Sequence, residues 1–80
     1  MEKYNGGENS GVFAYEILDD AVILQFTNDN FFYLYDYTKP GKVHVETMIE
    51  LAKAGKGLTT YVNKNVRVNY KRKWKQLQKV

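Results

Sequence analysis

The sequence contains no cysteine and a single proline in 80 residues. Without cysteine, disulfide bonds, thiolate metal sites and cysteine nucleophiles are all excluded. The longest apolar runs are far shorter than the roughly 20 residues that a membrane-spanning helix needs, and the polar N-terminal residues do not have the pattern of a signal peptide. We therefore expect a cytoplasmic protein that does not act at a membrane.

Side chains that commonly carry catalysis are scarce as well. General acid–base catalysis usually relies on a positioned histidine or on a carboxylate pair with shifted pKa values. His44 is the single histidine, Asp19-Asp20 has the pattern of a turn, and Glu46 and Glu50 form an exposed pair four residues apart. A metal ion needs several clustered donors, which the sequence does not offer. We expect a protein that is not an enzyme and that has no cofactor or metal.

Acidic residues are missing from the last thirty positions. All nine acidic residues lie within 1–50 beside three of the basic residues, and the other nine basic residues lie within 51–80. Such an asymmetry indicates a polyanionic partner. Two simpler interpretations stay open: a solvated basic tail, and two oppositely charged halves that neutralise each other within one fold.

Aromatic residues are abundant. Seven Tyr, four Phe and one Trp, with 44% hydrophobic residues overall, are typical of a folded chain rather than a disordered one. A chain of this length buries about 60% of the surface that its unfolded form exposes, which suffices for one domain. We expect a flexible segment over 1–11 and a single domain over 12–80.

Three runs of β-branched and aromatic residues, 12–17, 22–26 and 31–35, predict an antiparallel meander. Alternate residues of a strand share a face. Phe32 and Leu34 therefore lie on one face of the third strand. The other face of the third strand carries Phe31, Tyr33 and Tyr35. In the second strand, one face carries Val22, Leu24 and Phe26.

Helical spacing of apolar residues predicts a helix over 43–54, followed by Gly55 at the position where glycine ends a helix. The final segment is ambiguous. Apolar positions up to Leu77 predict a second helix that begins near Thr59 or Thr60, with one threonine as N-cap. Alternation over 66–70 instead predicts a strand that ends near Lys71. We expect an α+β fold: a three-stranded antiparallel meander followed by two helices packed on one face.

The last segment also contains a short motif, formed by Tyr61, Asn63, Val66, Arg67 and Tyr70. With Tyr15 before an apolar strand, an aromatic third strand, and Gly57 after a helix, the motif resembles the KTSC domain, a module found at the C-terminal end of some lysyl-tRNA synthetases and as stand-alone proteins. The resemblance covers roughly 13–71, and Lys56 departs from it where the family has a serine. It implies an α+β fold and a role related to nucleic acid or tRNA, and no catalytic residues.

Basic residues alternate with aromatic residues toward the C-terminus. Basic side chains neutralise phosphates, and aromatic side chains stack on unpaired bases. On a helix, Lys64, Arg67, Lys71 and Lys75 would form one stripe. Tyr33 and Tyr35 are further stacking candidates, whereas Tyr61 and Tyr70 are expected in the core. The residues that we expect to bind an anion or nucleic acid are Lys64, Arg67, Lys71, Arg72, Lys73, Trp74 and Lys75.

These features favour a small binding module for RNA or single-stranded nucleic acid. The alternative is a phage-like interaction or inhibitor protein that binds a host protein or sequesters a nucleotide signal, in a pocket formed by Tyr33, Tyr35, Arg67 and Trp74. The oppositely charged halves would then suit a homo-oligomer in which one half meets the other. Asn63 and Arg67 would be one helical turn apart, either as a recognition pair or as partners of backbone groups.

Overall fold

The computed structural model describes residues 2–4 and 11–75. Two helices lie against one face of a five-stranded antiparallel sheet with strand order β1-β2-β3-β4-β5. Both helices stand between β4 and β5 in the chain. The strands are β1 (Glu2–Lys3), β2 (Val12–Ile17), β3 (Ala21–Phe26), β4 (Phe31–Asp36) and β5 (Arg72–Lys75), and the helices are α1 (Lys42–Ala54) and α2 (Leu58–Asn65).

The three predicted strands are β2, β3 and β4, and their predicted alternation is confirmed. Leu24 and Phe26 of β3 are 0% and 4% exposed, and Tyr33 and Tyr35 of β4 join them in the core. Phe32 lies between these two tyrosines in sequence and faces the other way. Because the helices cover one side of the sheet, each strand buries one set of alternate residues. This alternation was visible in the sequence.

The predicted meander of three strands is too short, because a strand is added at each edge. β1 pairs with β2 and lies in the segment that was predicted to be flexible. Tyr4, which follows β1, is buried, and its hydroxyl accepts a hydrogen bond from the Leu58 backbone N–H at 3.0 Å. β5 pairs with β4 at the opposite edge. The first and the last described strand therefore form the two edges of the sheet.

The first helix is confirmed. Val45, Met48 and Ala52 form its buried side. The helix ends at Gly55, whose φ of 77° lies in the left-handed region that glycine adopts without steric cost. The Gly55 N–H donates to the Leu51 carbonyl at 3.0 Å, which satisfies a free carbonyl of the last turn.

The second helix is much shorter than predicted. α2 ends at Asn65, and its N-cap is Gly57 rather than a threonine. The alternative strand over 66–70 is also wrong, because a turn follows α2 and the strand forms only over β5. Val66 is 1% exposed in that turn. β-branched residues lose side-chain freedom in a helix, and the free edge of β4 offers backbone partners that a longer helix would forgo.

Asp36 organises the turn after β4. Its Oδ1 accepts hydrogen bonds from the Thr38 hydroxyl at 2.6 Å, the Thr38 N–H at 2.9 Å and the Lys39 N–H at 3.0 Å. The hydroxyl bond above all, together with the two backbone bonds, lowers the pKa of the Asp36 carboxyl below its ordinary value. A carboxyl whose folded pKa is lowered stabilises the fold above its unfolded pKa of about 3.9, and this stabilisation is lost as the pH falls through the folded pKa.

Replacing Thr38 with valine removes the strongest of these bonds. We expect the Asp36 pKa, followed by carboxyl NMR during an acid titration, to rise toward its ordinary value. Less stability should then be lost on acidification. Thr47→Val is the matched control, because the Thr47 hydroxyl donates to the Val43 carbonyl at 2.9 Å and does not contact Asp36. An Asp36 pKa that is the same in Thr38→Val and Thr47→Val would contradict this assignment.

Candidate functional site

The sheet face that turns away from the helices carries two rows of side chains. Gln25, Phe32 and Trp74 are opposite one another on β3, β4 and β5. Ile23, Leu34 and Arg72 form the next row. Across 2–4 and 11–75, neither helix packs on this face, since the buried residues of both helices belong to the core on the other side. We refer to the face defined by these six residues as the open face.

Phe32 and Trp74 form an aromatic pair on the open face. They are paired in the β4–β5 register, and their ring centroids are 6.0 Å apart with an interplanar angle of 48°. Trp74 is 38% exposed and Phe32 is half-buried. The pair therefore combines mutual contact with ring surface that a ligand can reach. We refer to Phe32 and Trp74 as the aromatic platform.

Basic residues flank Trp74 along the edge strand β5. All four of its residues are exposed. Arg72 lies on the open face beside Trp74, whereas Lys73 and Lys75 alternate toward the helix side of the same edge. Lys71 precedes β5, is exposed, and donates its backbone N–H to the Leu34 carbonyl at 2.7 Å. Positive charge thus lines both flanks of the edge.

Two of the cations rest on aromatic rings at the helix side. The Lys73 Nζ lies 4.9 Å from the ring centroid of Phe31 and 5.9 Å from that of Tyr70. The guanidinium of Arg67 lies 3.9 Å from the ring centroid of Phe26. Exposed cation–π contacts of this kind stabilise by about 0.5–1 kcal/mol each. Arg67 and Lys73 therefore help to hold the C-terminal segment on the sheet.

Tyr33 and Tyr35 do not form a stacking surface, which corrects the prediction. They are 8% and 0% exposed on the buried face of β4. The Tyr33 hydroxyl donates to Asp29 Oδ2 at 2.8 Å, and the Tyr35 hydroxyl donates to the Arg67 carbonyl at 3.2 Å. Burial raises the pKa of both phenols above the ordinary value. The nucleotide pocket that was expected from these residues does not form, because Trp74 lies on the opposite face.

The basic stripe expected along a C-terminal helix does not form either. Lys64 is exposed in the last turn of α2, whereas the other predicted cations lie beyond the helix end. Asn63 is exposed on α2, and Arg67 lies in the following turn, so the two are not one helical turn apart. Arg67 contacts the Phe26 ring. The structure therefore does not assemble the expected recognition pair on one helical side.

The two motif tyrosines pack against the core, as predicted. The Tyr70 ring lies 5.1 Å from the Tyr33 ring in an edge-to-face contact. The Tyr61 hydroxyl lies 2.5 Å from Nδ1 of His44, so the single histidine takes part in joining α1 to α2. These contacts give the motif a structural role in docking the two helices and the chain that leads to β5.

Phe32 was not among the expected binding residues, although the alternation of residues in the third strand indicated where it lies. Alternation had already placed it opposite the face of Tyr33 and Tyr35. If those tyrosines are buried, Phe32 must face outward.

Comparison with known proteins adds no assignment: no protein-family model, curated protein or solved structure matches the chain at a significant level. The resemblance to the KTSC domain stays a prediction. Within 2–4 and 11–75, no group of three carboxylate or histidine side chains could hold a metal ion. No helix in this part of the chain is long and apolar enough to span a bilayer.

Proposed function

We propose that this protein is a non-catalytic cytoplasmic module that binds single-stranded nucleic acid, RNA or DNA, on the open face. The observation that carries the proposal is the aromatic platform at the edge of the sheet, next to the exposed basic residues of β5. Aromatic side chains on an antiparallel sheet stack with unpaired bases in known RNA-binding modules. Each stacked base contributes about 1–3 kcal/mol.

The arrangement suits single strands better than duplexes. Base faces are available for stacking only where bases are unpaired, and the exposed ring surface of Phe32 and Trp74 is suited to such contact. Arg72 lies on the open face, where it can neutralise a phosphate beside the stacked bases, and Lys75 adds positive charge on the other side of the same edge strand. Both charges would make the affinity depend on salt. The proposed resemblance to the KTSC domain agrees with an RNA-related role.

Trp74 provides a direct test, because it is the sole tryptophan of the chain. We expect its fluorescence to be quenched when an oligouridylate is titrated at low salt. Trp74→Leu should weaken binding of a labelled oligomer, measured by anisotropy, by about 5- to 150-fold, which corresponds to the loss of one stacked base. Val68→Leu is the matched control, because Val68 is 82% exposed in the turn after α2, and it should bind as the wild type does.

Two results would contradict the proposal. The first is Trp74 fluorescence that stays unchanged as oligomers of each base are titrated to high concentration at low salt. The second is equal affinity of Trp74→Leu and Val68→Leu. If the chain binds no polynucleotide and sediments as an oligomer, the alternative of a self-associating interaction protein replaces this proposal.

A further inference from the structure

A β-bulge in β2 brings a third aromatic residue onto the open face. Val12 is opposite Phe26, yet Ala14 is opposite Gln25, so the register shifts between Val12 and Ala14. Val12 and Tyr15 both lie in the core. Residues three apart in a regular strand would lie on opposite faces. The extra residue is Phe13, which is 44% exposed and lies beside Gln25 on the open face.

A basic side chain, Lys3, lies next to the Phe13 ring, as Arg72 lies next to the aromatic platform. Lys3 of β1 is opposite Ala14, and its Nζ lies 5.7 Å from the centroid of the Phe13 ring. Phe13 and Gln25 also line an open groove of about 460 Å³ that extends along the turn between β3 and β4. The β2 end of the open face thus repeats the chemistry of the β5 end: an exposed ring with a basic side chain beside it.

The two ends belong to one row across the sheet. Gln25 is opposite Ala14 on one side and Phe32 on the other, and Phe32 is opposite Trp74. Neighbouring strands are about 4.8 Å apart, so the row from β2 to β5 spans about 14 Å. A single strand with about one nucleotide over each of these β-strands therefore has roughly four nucleotides, and a dinucleotide on the aromatic platform does not reach Phe13.

Charge distinguishes this row from its neighbour. In the next row, Arg72 at β5 is matched by Glu16 at β2, opposite Ile23. A phosphate backbone that followed the second row would approach the Glu16 carboxylate, whereas the row through Phe13 ends at Lys3. Repulsion by the carboxylate and attraction by the ammonium favour the same path.

We propose that Phe13 and Lys3 form a second base-binding station, and that the open face takes about four nucleotides of a single strand laid across the β-strands from Trp74 to Phe13. The inference rests on the proposed function of the open face. It adds a minimum ligand length and a path, which the aromatic platform alone does not define.

The test compares a dinucleotide with an octanucleotide of the same base, each titrated into the whole chain and followed by the NMR signal of the Trp74 indole. Phe13→Leu keeps an apolar side chain but removes the ring. It should weaken octanucleotide binding about fivefold or more and leave dinucleotide binding unchanged. Phe13→Tyr keeps the ring and is the matched control, and it should bind both ligands as the wild type does.

Trp74→Leu, followed with labelled ligands, separates failure of the inference from failure of the proposed function. If Trp74→Leu weakens both lengths and Phe13→Leu weakens neither, the second station is overturned and the aromatic platform stands. If Phe13→Leu weakens both lengths equally, Phe13 does not form a separate station, and the inference is likewise overturned. If the wild type binds neither length, the proposed function fails and the inference fails with it.

Discussion

Replacing Leu24 with alanine is expected to lower the free energy of unfolding by about 2–5 kcal/mol. Leu24 is 0% exposed in the central strand β3, between Tyr15 on β2 and Tyr33 on β4. The lost side chain leaves a cavity between the sheet and the helices, where rigid neighbours on both sides limit collapse. Small domains are stable by only about 5–15 kcal/mol, so this single change removes a large part of the total.

Urea denaturation followed by far-UV circular dichroism measures this loss. Ile23→Ala is the matched control, since Ile23 is adjacent in β3, is half-buried and lies on the open face. It removes a side chain of the same size class from a site with fewer neighbours, and it should cost clearly less. Equal losses at Leu24 and Ile23 would mean that the open face is covered as closely as the helix face, which would contradict its assignment as a binding surface.

The central part of the fold could be predicted because its signals are local. Alternation in β3 and β4 reports directly which residues face the helices, and Gly55 marks the end of α1 by its left-handed conformation. The same alternation placed Phe32, one of the two residues of the aromatic platform, on the face opposite Tyr33 and Tyr35. Phe32 was not among the expected binding residues because Tyr33 and Tyr35 were treated as accessible, and alternation alone does not show which face of the strand the helices cover.

The C-terminal segment could not be predicted because its structure depends on a distant partner. The apolar positions between Leu58 and Leu77 fit a helix, and nothing within the segment indicates that β4 has a free edge. β5 consists of three basic residues and Trp74, a composition with little intrinsic preference for a strand. Pairing with Phe31–Leu34 and the contact of Trp74 with Phe32 decide its conformation.

The β-bulge also could not be predicted from the sequence, because it depends on how β2 pairs with β3. Over 12–17, strict alternation assigns Val12 and Tyr15 to opposite faces, and only the burial of both residues shows that one residue is inserted. The bulge changes the side on which Phe13 lies, so the Phe13 station could not be located before the register was known.

Reversing two charges of β5 is expected to have the largest effect on binding. The double variant Arg72→Glu with Lys75→Glu removes two basic residues of the edge strand and introduces two carboxylates there, the one at position 72 beside the aromatic platform. Each lost contact with a single strand lowers the slope of log affinity against log salt by about 0.7. At roughly 0.1 M salt the loss of counterion release and the added repulsion should together reduce affinity about 100-fold.

Lys53→Glu with Lys56→Glu is the matched control. Both lysines are exposed, one in the last turn of α1 and the other in the connection to α2. The two double variants have the same formal net charge, so any difference between their salt slopes, measured by anisotropy over a salt series, must come from where the charges lie. A reduced slope confined to the β5 variant supports phosphate contacts at that edge. Equal losses in both variants would show that the overall field of the chain attracts the polyanion, and β5 would then have no special role in binding.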